Sequence, residues 1–248
     1  MISIILKREW LRLRPSIFPA LMFSILLTLT FYLVIGFPFY SVINTINGMK
    51  FMYWLSPGIW IYMSSLMAYL ISLDGMNSLL NEKRQIEAFS NSPISNKQLL
   101  LGIVLWSILL SIIQWFISFI MTSLLNNDFI SIIQLIRLFV QTFPVIIFFS
   151  GLAILTGLLA KNKFWQITVS GVYFIILAFG TGCFIPIEFF PVEIISIIEL
   201  IPITNVISGA QSIAIQNSGS FTGGLFTFIS GVLFILVSFG ISNKKFRK

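Results

Sequence analysis

From Arg14 to Lys50 the chain carries no charged side chain, and stretches of similar character recur along its length. A run of about 20 apolar residues is what an α-helix needs to cross the hydrocarbon core of a bilayer. In lipid every backbone polar group must be satisfied within the segment, which leaves helices as the spanning form for such runs. Composition points the same way. Only 9% of the 248 residues are charged, against roughly a quarter in a soluble domain, and the mean hydropathy is +0.99. These charges are too few to solvate a globule in water, so the solvent is lipid.

Six spans are expected, giving an all-α integral membrane fold in one domain, 1–248. They run from Ser16 to Phe37, Pro57 to about Leu73, Leu99 to Leu125, Arg137 to Lys161, Lys163 to roughly Phe184, and Phe221 to Ile241. Of fifteen Lys and Arg, only Lys50 and Arg137 fall on one side of this arrangement. The other thirteen fall on the side of the termini, so the positive-inside rule places both termini in the cytoplasm of a multi-pass protein of the bacterial inner membrane. The net charge of +7 is therefore topological, since a nucleic-acid binder gathers its cations on one face of a folded domain. The N-terminal segment lacks a small-residue cleavage site and reads as retained.

Three segments are neither span nor simple loop. Residues 1–14 form an amphipathic helix, with Ile2, Leu6, Trp10 and Leu13 on one face and Lys7, Arg8, Arg12 and Arg14 largely elsewhere; such a helix lies on an anionic leaflet. The inner loop 74–98 reads as a short charged helix through Phe89, then a break at Pro93. Ser95 with Gln98 three residues on makes a capping box that starts the third span. In the outer segment 185–220, Glu193, Ser196 and Glu199 mark one face of a helix of about ten residues, too short to span. With a second short helix from Thr204 to Ile215 it forms either a re-entrant hairpin or a pair of interfacial helices.

The chemistry missing from the sequence is as informative. There is no histidine and one cysteine, Cys183, which excludes a Ser/His/Asp triad, an intrachain disulfide and Cys-rich metal spacing. No Gly-x-x-x-x-Gly-Lys-[Ser/Thr] phosphate loop occurs. Every Asp, Glu, Lys and Arg maps to a loop or a span end, whereas ion-coupled transporters usually keep such groups inside the membrane. Gln114 and Gln141 are the conspicuous polar side chains within spans.

Taken together, these features make the chain similar to the permease subunit of ABC-2 type exporters. The resemblance is carried by the amphipathic helix before the first span and by Pro57-Gly58 near the start of the second. It continues in the inner loop, with Glu82, Glu87 and the turn Ser92-Pro93-Ile94-Ser95, and in Gly182-Cys183-Phe184-Ile185-Pro186 through Phe190-Pro191 after the fifth. Ala88 and Ile201 stand where members of the family often have Leu and Asn. The resemblance implies a homodimer or a pair of half-permeases in membrane lipid, with a separate ABC ATPase subunit that holds the ATP and magnesium, so that this chain binds no cofactor and is not itself an enzyme. It implies that Glu82, Arg84, Ile86, Glu87, Phe89, Pro93 and Ser95 form the segment that docks on the ATPase. A substrate path is expected along Trp60, Trp106, Gln114 and Gln141, with ordinary packing as the other reading of the tryptophans. The expected cargo is lipid-like, glycan or drug-like. The competing readings are a non-transporting scaffold and an ion-coupled transporter whose site uses backbone and hydroxyl oxygens.

Overall fold

A computed structural model describes residues 2–46, 48–81, 95–127, 130–160, 162–216 and 221–245. The architecture is all-α. Helix α1 (Ile2–Leu13) passes through a 3-10 turn at Arg14–Ser16 into α2 (Ile17–Val42). A two-stranded hairpin, β1 (Thr45–Ile46) paired antiparallel with β2 (Met49–Lys50), leads into α3 (Phe51–Asn81). Its turn uses Gly48 at φ 80°, a conformation that favours glycine. Then follow α4 (Asn96–Asn126), α5 (Ile132–Leu159), α6 (Lys163–Phe179), the short α7 (Val192–Glu199), α8 (Pro202–Gln216) and α9 (Thr222–Lys245).

Among the described residues, five helical stretches are long and apolar enough to cross a membrane: Ile2–Val42, Phe51–Leu80, Asn96–Asn126, Ile132–Leu159 and Thr222–Ser242. The pair α7 and α8, bent by 97° at its break, would make a sixth. Helix α6, the expected fifth span, is 17 residues long, the lower limit for a crossing. It stops at Phe179 rather than Phe184. Gly180 ends it, the chain turns through Gly182 at φ 76°, and Phe184 N–H comes back to the carbonyl of Ala178 at 3.1 Å.

Two further boundaries differ from expectation for a common reason. Helix α3 starts at Phe51 and α2 runs on to Val42, so Pro57 and Pro38 lie inside helices and do not bound them. A proline inside a helix frees a carbonyl, yet membrane helices tolerate it where packing against neighbouring helices and small adjustments of the turn accommodate the freed group. The carbonyls left without a proline N–H are those of Tyr53 and Val34. Ser56 Oγ donates to the Met52 carbonyl at 3.0 Å and Ser41 Oγ to that of Pro38 at 2.7 Å, which are ordinary back-bonds to other carbonyls. Helix α3 also continues through Asn81, so Asp74 to Asn81 extend the second span beyond Leu73.

The core lies where α3 and α5 cross, with Trp60, Trp115, Tyr69, Phe51 and Leu138 among its fully buried side chains. Helix α5 is held against α9 by two glycines. A Cβ on Gly151 would meet the Gly231 carbonyl at 2.7 Å, and one on Gly231 would meet the Phe148 backbone at 2.8 Å. Small residues at such crossings let backbones close, the main route to helix association in lipid. Helix α8 is driven into the bundle, burying Val206, Ile207, Ala210 and Ile213. Its last carbonyls, those of Ile213 and Ala214, accept from Gln134 Nε2 at 2.8 and 3.0 Å, and Ala214 O also from Tyr53 Oη at 3.1 Å. A helix end away from water needs such partners.

Candidate functional site

Of the segment expected to dock on an ATPase, Glu82, Arg84, Ile86, Glu87, Phe89 and Pro93 lie outside the described residues; Ser95 lies within them. Ser95 is the N-cap of α4. Its Oγ accepts from Gln98 N–H at 3.4 Å and its own N–H donates to Gln98 Oε1 at 3.1 Å, the capping box read from the sequence. Two orphan donors of the first turn are thereby satisfied, which fixes where α4 begins.

The helix ends that carry this segment are joined by two small apolar clusters apart from the main core. One brings together Met76 of α3, Leu100 and Val104 of α4, and Ile154 and Leu158 of α5. The other joins Ile5 of α1 to Leu79 of α3 and to Leu99 and Ile103 of α4. Three glycines set the spacing. Added Cβ atoms would meet Ile5 Cγ2 at 2.7 Å from Gly102, Ile103 Cγ2 at 2.8 Å from Gly75, and Met76 Cγ at 2.8 Å from Gly157. Interiors packed this closely transmit displacement with little compression. Four helices, α1, α3, α4 and α5, therefore meet as one platform at the end of the molecule bearing α1. The inward contact of α1 is Ile5, 3% exposed, while Trp10 is 49% exposed, so the apolar face read from the sequence is not the side that touches the bundle.

The residues expected along a path separate into distinct environments. Trp60 is buried, donates from Nε1 to Thr122 Oγ1 at 2.7 Å, and meets Trp115 and Phe119 edge-on. Gln114, two turns of α4 away, donates from Nε2 to Thr28 Oγ1 at 3.0 Å and to Ser118 Oγ at 3.3 Å. These two share a polar seam between α2, α3 and α4, which continues through Tyr32 Oη to Asn126 Oδ1 at 2.5 Å and Asn126 Nδ2 to Ser56 Oγ at 3.0 Å. Gln141 is buried elsewhere, between α5 and α8, with Nε2 3.4 Å from the Val206 carbonyl. Trp106 borders an open cleft between α1, α3 and α4, while Trp60 borders a much smaller recess beside Thr122 and Asn126.

A second junction sits at the opposite end, where two sequence motifs meet. Cys183 Sγ donates to the Gly58 carbonyl at 3.1 Å, and a Cβ on Gly58 would lie 2.2 Å from the Cys183 carbonyl oxygen. Gln211 Nε2 of α8 holds the Gly182 carbonyl at 3.1 Å. Gly58 is thus required by the close passage of the chain that leaves α6. At the α1 end the same helix pair is clasped by reciprocal amide bonds, Asn77 Nδ2 to Gln166 Oε1 at 3.0 Å and Gln166 Nε2 to Asn77 Oδ1 at 2.9 Å. Between these ties most of α6 faces outward, with Ile167, Val172, Ile175 and Ile176 exposed. Neither tie was expected from the sequence, because each joins side chains far apart along the chain. Among the described residues no group of His, Cys, Asp and Glu could hold a metal ion.

In comparison with known proteins, the family model described as ABC-2 type transporter matches residues 1–215, which takes in everything from α1 to the last turn of α8. No curated protein matches the chain.

Proposed function

The chain belongs to the ABC-2 type transporter family and is a transmembrane component of such a transporter, and from that premise we propose that it is the permease half of an ATP-driven exporter. Association with an ABC ATPase is general to the family. In this reading a separate ATPase subunit binds ATP and magnesium, and the permease acts as a homodimer or a pair of half-permeases. The complex sits in a bacterial inner membrane with both termini cytoplasmic, and its cargo is lipid-like, glycan or drug-like. The permease itself does no chemistry on ATP.

The observation that carries the reading is the platform of α1, α3, α4 and α5. The docking segment, Glu82 to Ser95, is strung between α3 and α4, whose ends are wedged against α1 and α5 by glycine contacts and the two clusters. A push delivered to that segment moves four helices together. Helix α6, tied to α3 at its two ends, follows the motion through Asn77–Gln166 and Gly58–Cys183. Re-entry of α7 and α8 from the outer side is part of the same proposal, supported by the 97° bend and by the side-chain amide that caps the buried end of α8.

Charge reversal at Glu82 and Glu87, combined with Pro93→Ala, tests the coupling. The expected outcome is an intact permease that no longer stimulates ATP hydrolysis or exports cargo. Unchanged export and unchanged ATPase stimulation in the triple variant would remove the coupling assignment.

A further inference from the structure

The cleft between α1, α3 and α4 shares Gly75 and Ile103 with the platform. It encloses about 390 Å³. Glu9 and Arg12 of α1 and Asp74 of α3 line it, and Leu70, one turn before Asp74, lines it together with Trp106 and Leu110 of α4. From Ile103 to Leu110 its α4 wall runs for about 10 Å, at 1.5 Å per residue. The cavity therefore has a charged end and two helical turns of apolar wall, the profile of an amphiphile. Leu70, on that wall, is itself 48% exposed on the outer surface, so the cleft adjoins the lipid-facing side of the bundle.

The order of the charges narrows the chemistry. Arg12 Nη1 lies 4.0 Å from Glu9 Oε2, and Nη2 lies 3.9 Å from Asp74 Oδ2. Charge-assisted hydrogen bonds run at about 2.7–2.9 Å, so the guanidinium stands between two carboxylates and closes a hydrogen bond with neither. Its planar donors suit a phosphate. The Asp74 side chain, 74% exposed, is placed to accept from an ammonium group, with the less exposed Glu9 Oε2 on the other side of Arg12. Glu9 is held in place by Arg8, whose Nε donates to Oε1 at 2.9 Å.

We propose that this cleft binds a phospholipid bearing a primary ammonium head group, phosphatidylethanolamine, drawn from the leaflet that faces α1. Its phosphate meets Arg12, its ammonium reaches Asp74 and Glu9, and one acyl chain lies along Leu70, Trp106 and Leu110. An anionic head group would set further negative charge against two carboxylates. A choline head group has no N–H to give them. The inference needs the membrane but not the ATP-driven reading, because its test reads binding alone.

The test is native mass spectrometry of the detergent-purified chain titrated separately with phosphatidylethanolamine, phosphatidylcholine and phosphatidylglycerol. The ethanolamine lipid is expected to stay bound at activation energies that strip the other two. Arg12→Gln and Asp74→Asn are each expected to weaken it about tenfold, the loss of one charge-assisted hydrogen bond, with Lys163→Gln on another face unchanged. Arg12 and Asp74 are exposed side chains, so the substitutions leave the fold intact, which thermal unfolding verifies. Tighter binding of phosphatidylglycerol, equal retention of the three lipids, or indifference to both substitutions overturns the proposal. So does free phosphoethanolamine competing as well as the intact lipid, since the apolar wall would then contribute nothing.

Discussion

Helices α2 and α5 are equally apolar and oppositely placed. The continuous α1–α2 stretch and α5 share a mean hydropathy of 2.2 over their most apolar windows, yet 72% of that window is buried in α5 and 22% in the other. The inward residues of α2 are Ser24, Thr28, Tyr32 and Gly36, one per turn and all polar or small. Of its apolar side chains, Phe23, Leu26, Leu33 and Val34 face outward, while Leu27, Phe31, Ile35 and Phe39 are half-buried against the core. Helix α5 buries Leu138, Val145, Ile146, Phe149, Ala153 and Ile154 together with Gln141, Ser150 and Gly157. Lipid tails are as apolar as leucine, so burying leucine between helices gains little in a membrane, and packing and hydrogen bonds decide position. Helix α5 is fixed by volume. Helix α2 is held by half-buried apolar contacts and a few bonds from Gln114, Ser118 and Asn126, and with so little of it buried it is the cheaper of the two to displace.

The sharpest way to break this contrast is to place the same side chain at both contacts. Gly231→Leu drives a Cβ into the Phe148 backbone, which cannot move aside. The expected cost is about 3 kcal/mol or more, read as a lost monodisperse fraction and a lowered thermal midpoint in detergent. Gly36→Leu meets the flexible end of Met52, at 2.6 Å from Sδ, and then Leu55 Cδ2 at 3.5 Å, and is expected to cost about 1–2 kcal/mol. Equal losses in the two variants would mean that α2 is as tightly fixed as α5.

Smaller effects refine the comparison. Gln114→Leu removes the bridge to Thr28, and a double-mutant cycle with Thr28→Val is expected to give a coupling of about 0.6–1.7 kcal/mol, the range for hydrogen bonds between membrane helices. A coupling of zero would assign the seam to packing alone. Leu26→Val, on the outward face of α2, is expected to stay within about 0.5 kcal/mol of the parent protein. A larger loss in the isolated chain would show that this face has a protein contact.

Much of this was legible in the sequence, though unevenly. The expected first, third, fourth and sixth spans match α2, α4, α5 and α9 to within a few residues, because long charge-free runs leave little choice. Prolines misled at Pro38 and Pro57, since a packed membrane helix tolerates an internal proline. The capping box at Ser95 was readable because it is local. The polar stripe of α4, Ser107, Ser111, Gln114, Ser118 and Thr122, is visible as a spacing, but which helix it faces depends on the tertiary arrangement. The same holds for Gly58 and Cys183, two halves of a contact that the sequence presents as separate motifs. For α1 the apolar periodicity marked a face including Trp10, while the contact with the bundle fell at Ile5, where Gly102 leaves room.

The central claim is that the segment between α3 and α4 joins this chain to an ATPase, and affinity purification from mild detergent tests it most directly. The account predicts that a soluble ABC ATPase comes down in stoichiometric amount with the tagged chain, and is lost when Glu82 to Ser95 is replaced by a Gly/Ser linker while the permease stays monodisperse. Recovery of the chain alone across several detergents, or retention of the ATPase by the replaced variant, would contradict it.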